Sequence, residues 1–141
     1  MDLITSFKVI GSGLAAQRAK LDVVTSNLAN VNTTRTPEGG PYRKKSIAFA
    51  AENVEGNFDS TMKGIVKSVK VDEVREDPNG IKMVYDPAHP DADAKGFVAM
   101  PDINVMVEMA DMIAASRAYE ACVTAFDSTK SMTLKTLEMG R

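Results

Sequence analysis

The chain has 141 residues, 44% of them hydrophobic and 26% charged, with a formal net charge of −2 at pH 7. Those values describe one ordinary globular domain and exclude a disordered or collagen-like chain. The near-neutral balance lacks the basic face that nucleic-acid binding demands, and a single cysteine, Cys122, excludes an internal disulfide and any multi-thiolate metal site.

The N-terminal Met-Asp-Leu-Ile-Thr-Ser-Phe-Lys begins with an acid where a secretory signal carries cations, and no apolar run precedes a cleavage site. Export with a cleaved signal peptide is therefore not expected. No window approaches the roughly eighteen continuous apolar residues of a membrane-spanning helix.

The first element is expected to be one long helix over residues 1–34. Phe7, Leu14, Leu21 and Leu28 recur every seven positions, with Leu3, Ile10, Val24 and Val31 interleaved and Gln17 as the interruption. In an α-helix that spacing makes one narrow stripe, suited to lengthwise packing against another helix. Asp2 or Thr5 is available to cap its start, and Gly11 and Gly13 are places where it frays, bends or lets another backbone come close. At about 1.5 Å per residue it spans roughly 40 to 45 Å, more than a compact domain of this size needs. The polar cluster Asn27, Asn30, Asn32, Thr33 and Thr34 follows. It reads as a helix stop, or, with Asn27 and Asn30 one turn apart, as a register marker where helices meet.

From residue 35 to 101 the helical period disappears and all six prolines appear, which marks a small β-rich insert. Pro37 to Pro41 is a turn, and Tyr42 to Phe49 a strand with Ile47 and Phe49 on one face. Glu52 to Met62 is a polar surface loop. Ile65, Val69 and Val71 alternate with charged residues, Asp77-Pro78-Asn79-Gly80 supplies a turn with positive φ at Asn-Gly, and Ile81, Met83 and Tyr85 alternate on the return, so residues 65–85 are expected to form a hairpin. Gly96 to Met100 adds a last strand.

Residues 102–141 form the second long helix, starting at Asp102 or Asn104 after Pro101 and running to Gly140. Its stripe is Val105, Met109, Met112, Ser116, Tyr119, Val123, Phe126, Lys130, Thr133 and Leu137, widened by Ile113 and Leu134. The fold class expected is α+β: two long terminal helices packed as an antiparallel coiled-coil-like pair, with a β-hairpin-rich insert between. A two-helix pair leaves much surface in water, and Met132, Leu134 and Met139 have no evident partner in the chain. The termini are thus expected to order fully only against neighbouring subunits.

No enzyme chemistry recommends itself. His89 sits between Pro87 and Pro90 near Asp86, Asp91 and Asp93, without the regular oxygen spacing of a hard-cation loop. Glu108, Asp111 and Glu120 share the second helix with no histidine for a di-metal site. Gly11-Ser12-Gly13 lacks the strand and lysine of a phosphate loop. Arg43-Lys44-Lys45 reads as a solvated strand end, and Cys122 as a buried structural thiol. No cofactor and no small-molecule substrate are expected.

The runs Ser12-Gly13-Leu14-Ala15-Ala16-Gln17 and Ser26-Asn27-Leu28-Ala29-Asn30 resemble the N-terminal signature of the flagellar rod, hook and hook-associated axial proteins. Gly-Gly-Pro-Tyr-Arg from Gly39, Lys82-Met-Val-Tyr-Asp-Pro, Asp93-Ala-Lys-Gly-Phe-Val, Ser116-Arg-Ala-Tyr-Glu and Lys130-Ser-Met-Thr-Leu-Lys-Thr-Leu narrow the resemblance to the short members that build the proximal rod. The resemblance implies a non-catalytic subunit that assembles helically through its terminal helices and transmits torque from the membrane ring to the distal rod. Its implied partners are further copies, rod proteins of the FlgB, FlgF and FlgG types, the ring-rod junction protein FliE and the flagellar type III export apparatus. Its implied place is the basal-body rod crossing the periplasm. The subunit-packing residues on this reading are Phe7, Ile10, Leu14, Leu21, Val24, Asn27, Leu28, Asn30 and Val31, with Val105, Met109, Met112, Tyr119, Val123, Phe126, Leu134 and Leu137. The competing class is a soluble helical-hairpin adaptor or chaperone that binds one partner helix.

Overall fold

The computed structural model describes residues 3–53 and 66–140. A run without proline folds as helix α1, Leu3–Ala29, and continues through Gly11 and Gly13 without a break. Because the helix already includes Thr5, that residue is not its cap. The helix stops at its asparagines: Asn30 Nδ2 donates to Ser26 O at 2.9 Å, and Thr33 Oγ1 donates to Asn30 Oδ1 at 3.1 Å. These side chains take over backbone groups that the last turn leaves open. Gly39 and Gly40, at φ 92° and 87°, then turn the chain back.

Strand β1, Lys45–Asn53, pairs antiparallel with β2, Lys67–Glu76. The start is three residues later than Tyr42, and Glu52 and Asn53 belong to the strand rather than to the expected loop; the loop's other residues lie outside the described ones. The pairing register shifts by one residue between Ala48 and Phe49. The extra residue is Asp72 of β2, opposite the step from Ala48 to Phe49, so the bulge lies in β2 and β1 itself runs without an insertion. Ile47 is half-buried and Phe49 exposed; two residues apart in an uninterrupted β1, they point to the same side of the strand.

Strand β3, Ile81–Tyr85, pairs antiparallel with β4, Phe97–Pro101, and the two ladders are separate two-stranded sheets. The hairpin expected over residues 65–85 is therefore not formed, since β2 pairs with β1 and β3 with β4. The turn between them is present, closed by Gly80 N donating to Asp77 O at 3.2 Å. Gly80 is not among the glycines with positive φ, so the turn is not of the tight hairpin kind. Its backbone also bonds outward, Asp77 N to Lys44 O at 2.9 Å and Asp102 N to Gly80 O at 2.8 Å. Those bonds hand the chain from one sheet to the other. A Cβ on Gly80 would stand 3.3 Å from Asp77 Cβ and O, so the residue is needed for room.

Helix α2, Val105–Met139, is capped by Asn104, whose side chain accepts from the N–H groups of Met106 and Val107. This is the N-cap geometry that asparagine favours. Four contacts fix the pairing of α1 with α2. The rings of Phe7 and Phe126 meet edge-on at 5.1 Å, a Cβ on Gly13 would sit 3.4 Å from Cys122 Sγ, Lys20 Nζ lies 3.4 Å from Asp111 Oδ1, and Asn27 Nδ2 donates to Glu108 Oε2 at 2.9 Å. Each step along one helix is a step back along the other, so the pair is antiparallel. The fully buried residues gather where α1 ends and α2 begins: Ala16, Val24 and Asn27 of α1, Tyr42, Val98, Ile103, and Glu108 and Ala115 of α2.

Candidate subunit-packing site

The polar centre of the molecule is Asn27, in the last turn of α1 and 1% exposed. Its amide nitrogen donates to Lys45 O and to Glu108 Oε2, both at 2.9 Å. Its oxygen accepts from Lys45 N at 2.9 Å and from the Tyr42 hydroxyl at 3.1 Å. Every donor and acceptor of the amide is used, and rotating it by 180° would set like against like at Lys45 N, Lys45 O and Glu108 Oε2. Since the Tyr42 proton goes to Asn27, Ser26 Oγ, 3.0 Å away, donates to Tyr42.

Glu108 is 2% exposed, and its second oxygen lies 2.7 Å from Lys44 Nζ, which keeps partial access to water. A carboxylate is costly to bury unless it is paired and hydrogen-bonded. Here it has both partners, and it sits in the first turn of α2, where the helix dipole favours negative charge. The end of α1, the root of β1 and the start of α2 thus meet in one satisfied network, and no described buried side-chain nitrogen or oxygen lacks a partner.

Away from this centre the helix seam is built of small side chains. On α1 the contacting positions Gly13, Lys20 and Asn27 each stand one residue before Leu14, Leu21 and Leu28. On α2, Glu108, Ala115 and Cys122 each stand one residue before Met109, Ser116 and Val123. One residue is about 100° of helix rotation, so along this stretch the inner face is turned by a quarter from the predicted stripes, while Phe7 and Phe126, both on those stripes, meet at the far end of the pair. Small residues let two helix axes approach toward the short end of the usual 8 to 10 Å range.

Apart from Val24 and the Phe7–Phe126 contact, many of the larger apolar residues keep access to solvent. Of the expected packing residues, Val24 and Asn27 are buried; Phe7, Ile10, Leu14, Leu21, Leu28, Asn30, Val31 and Met112 are half-buried. Val105, Met109, Tyr119, Val123, Phe126, Leu134 and Leu137 are exposed. The exposed face of α2 continues through Ala110, Ala114, Ala121 and Ala125. Exposed apolar rows of this extent, interspersed with Arg117, Glu120, Asp127 and Lys130, suit a partner surface.

The two helices also differ in length, 27 residues against 35, so α2 is about 12 Å longer. The register sets Leu3 near Lys130, and beyond it, where no described part of α1 lies alongside, Met132, Leu134, Leu137 and Met139 are 62%, 52%, 66% and 81% exposed. The whole chain exposes 10033 Å² at 15.2 kDa, where a compact monomer of that mass exposes about 7,100 Å².

The remaining sequence candidates take local roles. His89 Nδ1 accepts from Asp91 N at 3.1 Å, while the Asp91 carboxylate accepts from Thr34 Oγ1 and Arg35 Nη2, both at 2.8 Å. These bonds tie the loop after α1 to the β3–β4 connection beside a shallow cleft of about 430 Å³. Cys122 is half-buried rather than buried. Lys44, expected to be solvated, is the partner of Glu108. From sequence alone Glu108 reads only as a candidate metal ligand and Lys44 only as part of a solvated strand end; a lone acid in an otherwise apolar first helical turn is the signal for burial.

The terminal segments match two family models, Flagella basal body rod protein over residues 7–35 and Flagellar basal body rod FlgEFG protein C-terminal over residues 94–139. A curated protein of Borreliella burgdorferi, "Flagellar basal-body rod protein FlgC", is 46% identical, over 94% of this chain and 93% of that protein. The chain belongs to the FlgC family of flagellar basal-body rod proteins. Members so named from Bacillus subtilis and Escherichia coli are each 41% identical over the full length of both chains. Both family models fall on the helix pair and its approaches: the first covers most of α1, the second β4 and α2. The surface that this FlgC-family chain leaves apolar therefore lies largely in the segments by which the family is defined.

Proposed function

We propose that the chain is a structural subunit of the proximal rod of the bacterial flagellar basal body. Its α1–α2 pair stands in the wall of the tube with the β insert outside, and different faces meet in successive copies. Such heterologous contacts generate a helix rather than a closed ring, and the finished rod passes torque from the membrane ring to the distal rod. Its partners on this reading are further copies, rod proteins of the FlgB, FlgF and FlgG types and FliE. Delivery runs through the flagellar type III export apparatus without a cleaved signal, and the destination is the rod where it crosses the periplasm. The packing residues named from the sequence, on the leucine row of α1 and the outer rows of α2, are the proposed contacts between subunits.

Family membership supports the rod assignment. The observation that carries the assembly reading is the length of α2 beyond the described part of α1, where Met132, Leu134, Leu137 and Met139 stand exposed. The test is deletion of the gene, followed by complementation. The deletion strain is expected not to swim, and electron microscopy is expected to find no complete rods. Leu137→Asp changes a residue that is 66% exposed, so folding is expected to shift by no more than about 0.5 kcal/mol, yet the variant is expected not to restore swimming. Intact flagella in the deletion strain would refute the rod assignment. Sedimentation of the purified chain at rising concentration separates the two function classes: open-ended growth fits a rod subunit, and a stop at a small oligomer fits an adaptor.

A further inference from the structure

We propose that the buried Asn27–Glu108 pair is a register lock, which selects one alignment of α1 against α2 and couples that alignment to the seating of the β insert. Apart from the Phe7–Phe126 ring contact near its far end and the half-exposed Lys20–Asp111 pair, the rest of the seam is permissive. Leu14, Leu21 and Leu28 repeat every seven residues, and the inner positions Gly13, Ala115 and Cys122 are small. Sliding one helix by a heptad, about 10.5 Å, therefore sets similar surfaces against each other. One direction brings Ser6 opposite Cys122 and Gly13 opposite Ala115; the other brings Lys20 opposite Cys122 and Asn27 opposite Ala115.

Neither shift keeps Asn27 on Glu108. The carboxylate then loses the 2.9 Å bond from Asn27, and Lys44 and Asn27 no longer converge on it. In the aligned state Asn27 also clamps both backbone groups of Lys45, at 2.9 Å each. The same side chain thus reports the helix alignment to the root of β1. A buried polar residue that fixes register at some cost in stability is an established device in paired helices, and replacing a buried ion pair by apolar residues is often close to neutral for stability.

The native Cys122 makes the register readable. A Cβ at residue 13 lies 3.4 Å from Cys122 Sγ, so the Gly13→Cys thiol meets Cys122 in the native alignment, while Ser6→Cys and Lys20→Cys meet it only after a one-heptad shift. Each probe is placed in the full-length chain, oxidised mildly, and its intramolecular disulfide measured on non-reducing gels. With Asn27 and Glu108 intact, the Gly13→Cys yield is expected to exceed the other two by at least about tenfold. In the Asn27→Leu/Glu108→Leu background the three yields are expected to converge to within about threefold, with far-UV helicity retained. A milder background, Lys44→Met/Glu108→Leu, leaves the bonds between Asn27 and Lys45 in place and decides the matter if the first does not fold. Appearance of the shifted disulfides in a folded background supports the lock. Confinement to Gly13→Cys in every background that folds, or loss of helicity in both, overturns it.

Discussion

Truncating Asn27 to alanine removes four hydrogen bonds at once. Tyr42 keeps Ser26 as a partner, but three groups lose theirs: the N–H and C=O of Lys45 and Oε2 of Glu108. An orphaned buried group costs about 1 to 3 kcal/mol, more when it is charged. Lys45 is half-buried, which reduces its share. The sum is about 3 to 5 kcal/mol, a large part of the 5 to 15 kcal/mol typical of a whole domain. At roughly 3 °C per kcal/mol for a chain of this length, the melting temperature is expected to fall by about 10 to 15 °C. Thermal unfolding followed by circular dichroism measures it, with Asn30→Ala as the comparison. The bonds of Asn30, to Ser26 O and from Thr33, are local and reached by water, so its loss is expected to cost only about 0.5 to 1 kcal/mol. Equal shifts for the two variants, or a fall below about 3 °C for Asn27→Ala, would show that the network does not hold the end of the helix pair.

The two glycines of α1 are expected to respond in opposite directions. Around Gly11 nothing stands within 4 Å of an added Cβ, so Gly11→Ala is expected to stabilise by about 0.5 to 1 kcal/mol in chemical denaturation. Gly13→Leu drives a side chain into Cys122 and is expected to destabilise by about 1 to 3 kcal/mol; a gain there would mean that the helices do not approach closely. Hydrogen exchange is expected to be graded along α2, slow near Ala115 and fast beyond Met132, where no described part of α1 lies alongside. Uniform protection to Met139 in dilute protein would contradict that gradient. Gly96 holds φ at 79°, with Tyr85 Cε2 only 3.0 Å from an added Cβ. Gly96→Ala is therefore expected to cost more than about 1 kcal/mol and to alter the near-UV signal of the edge-on Tyr85–Phe97 pair, 5.3 Å between centroids.

The sequence by itself determined the type and order of the elements. Absence of proline over residues 3–29 and 105–139, heptad-spaced apolar residues, Asn104 before an apolar run and the proline-rich middle are local signals, and local signals settle whether a segment becomes helix or strand. They also settled α+β with long terminal helices, and the quoted motifs pointed to the right family. Tertiary structure decided which strands pair, which helix face turns inward and what Asn27 does. Strand pairing depends on contacts distant in sequence: the bonds of Lys44 to Asp77 and of Gly80 to Asp102 send β3 to β4 instead of back along β2. The inner face was hidden because both helices carry apolar residues on more than one side, and periodicity cannot rank two stripes a quarter-turn apart. Close approach through Gly13, Ala16, Ala115 and Cys122 placed small residues between the helices and left the leucines of α1 half-buried and most of the large apolar residues of α2 exposed. Glu108 became a buried partner only because Asn27 and Lys44, 81 residues and about 64 residues away in the chain, arrive at the same point.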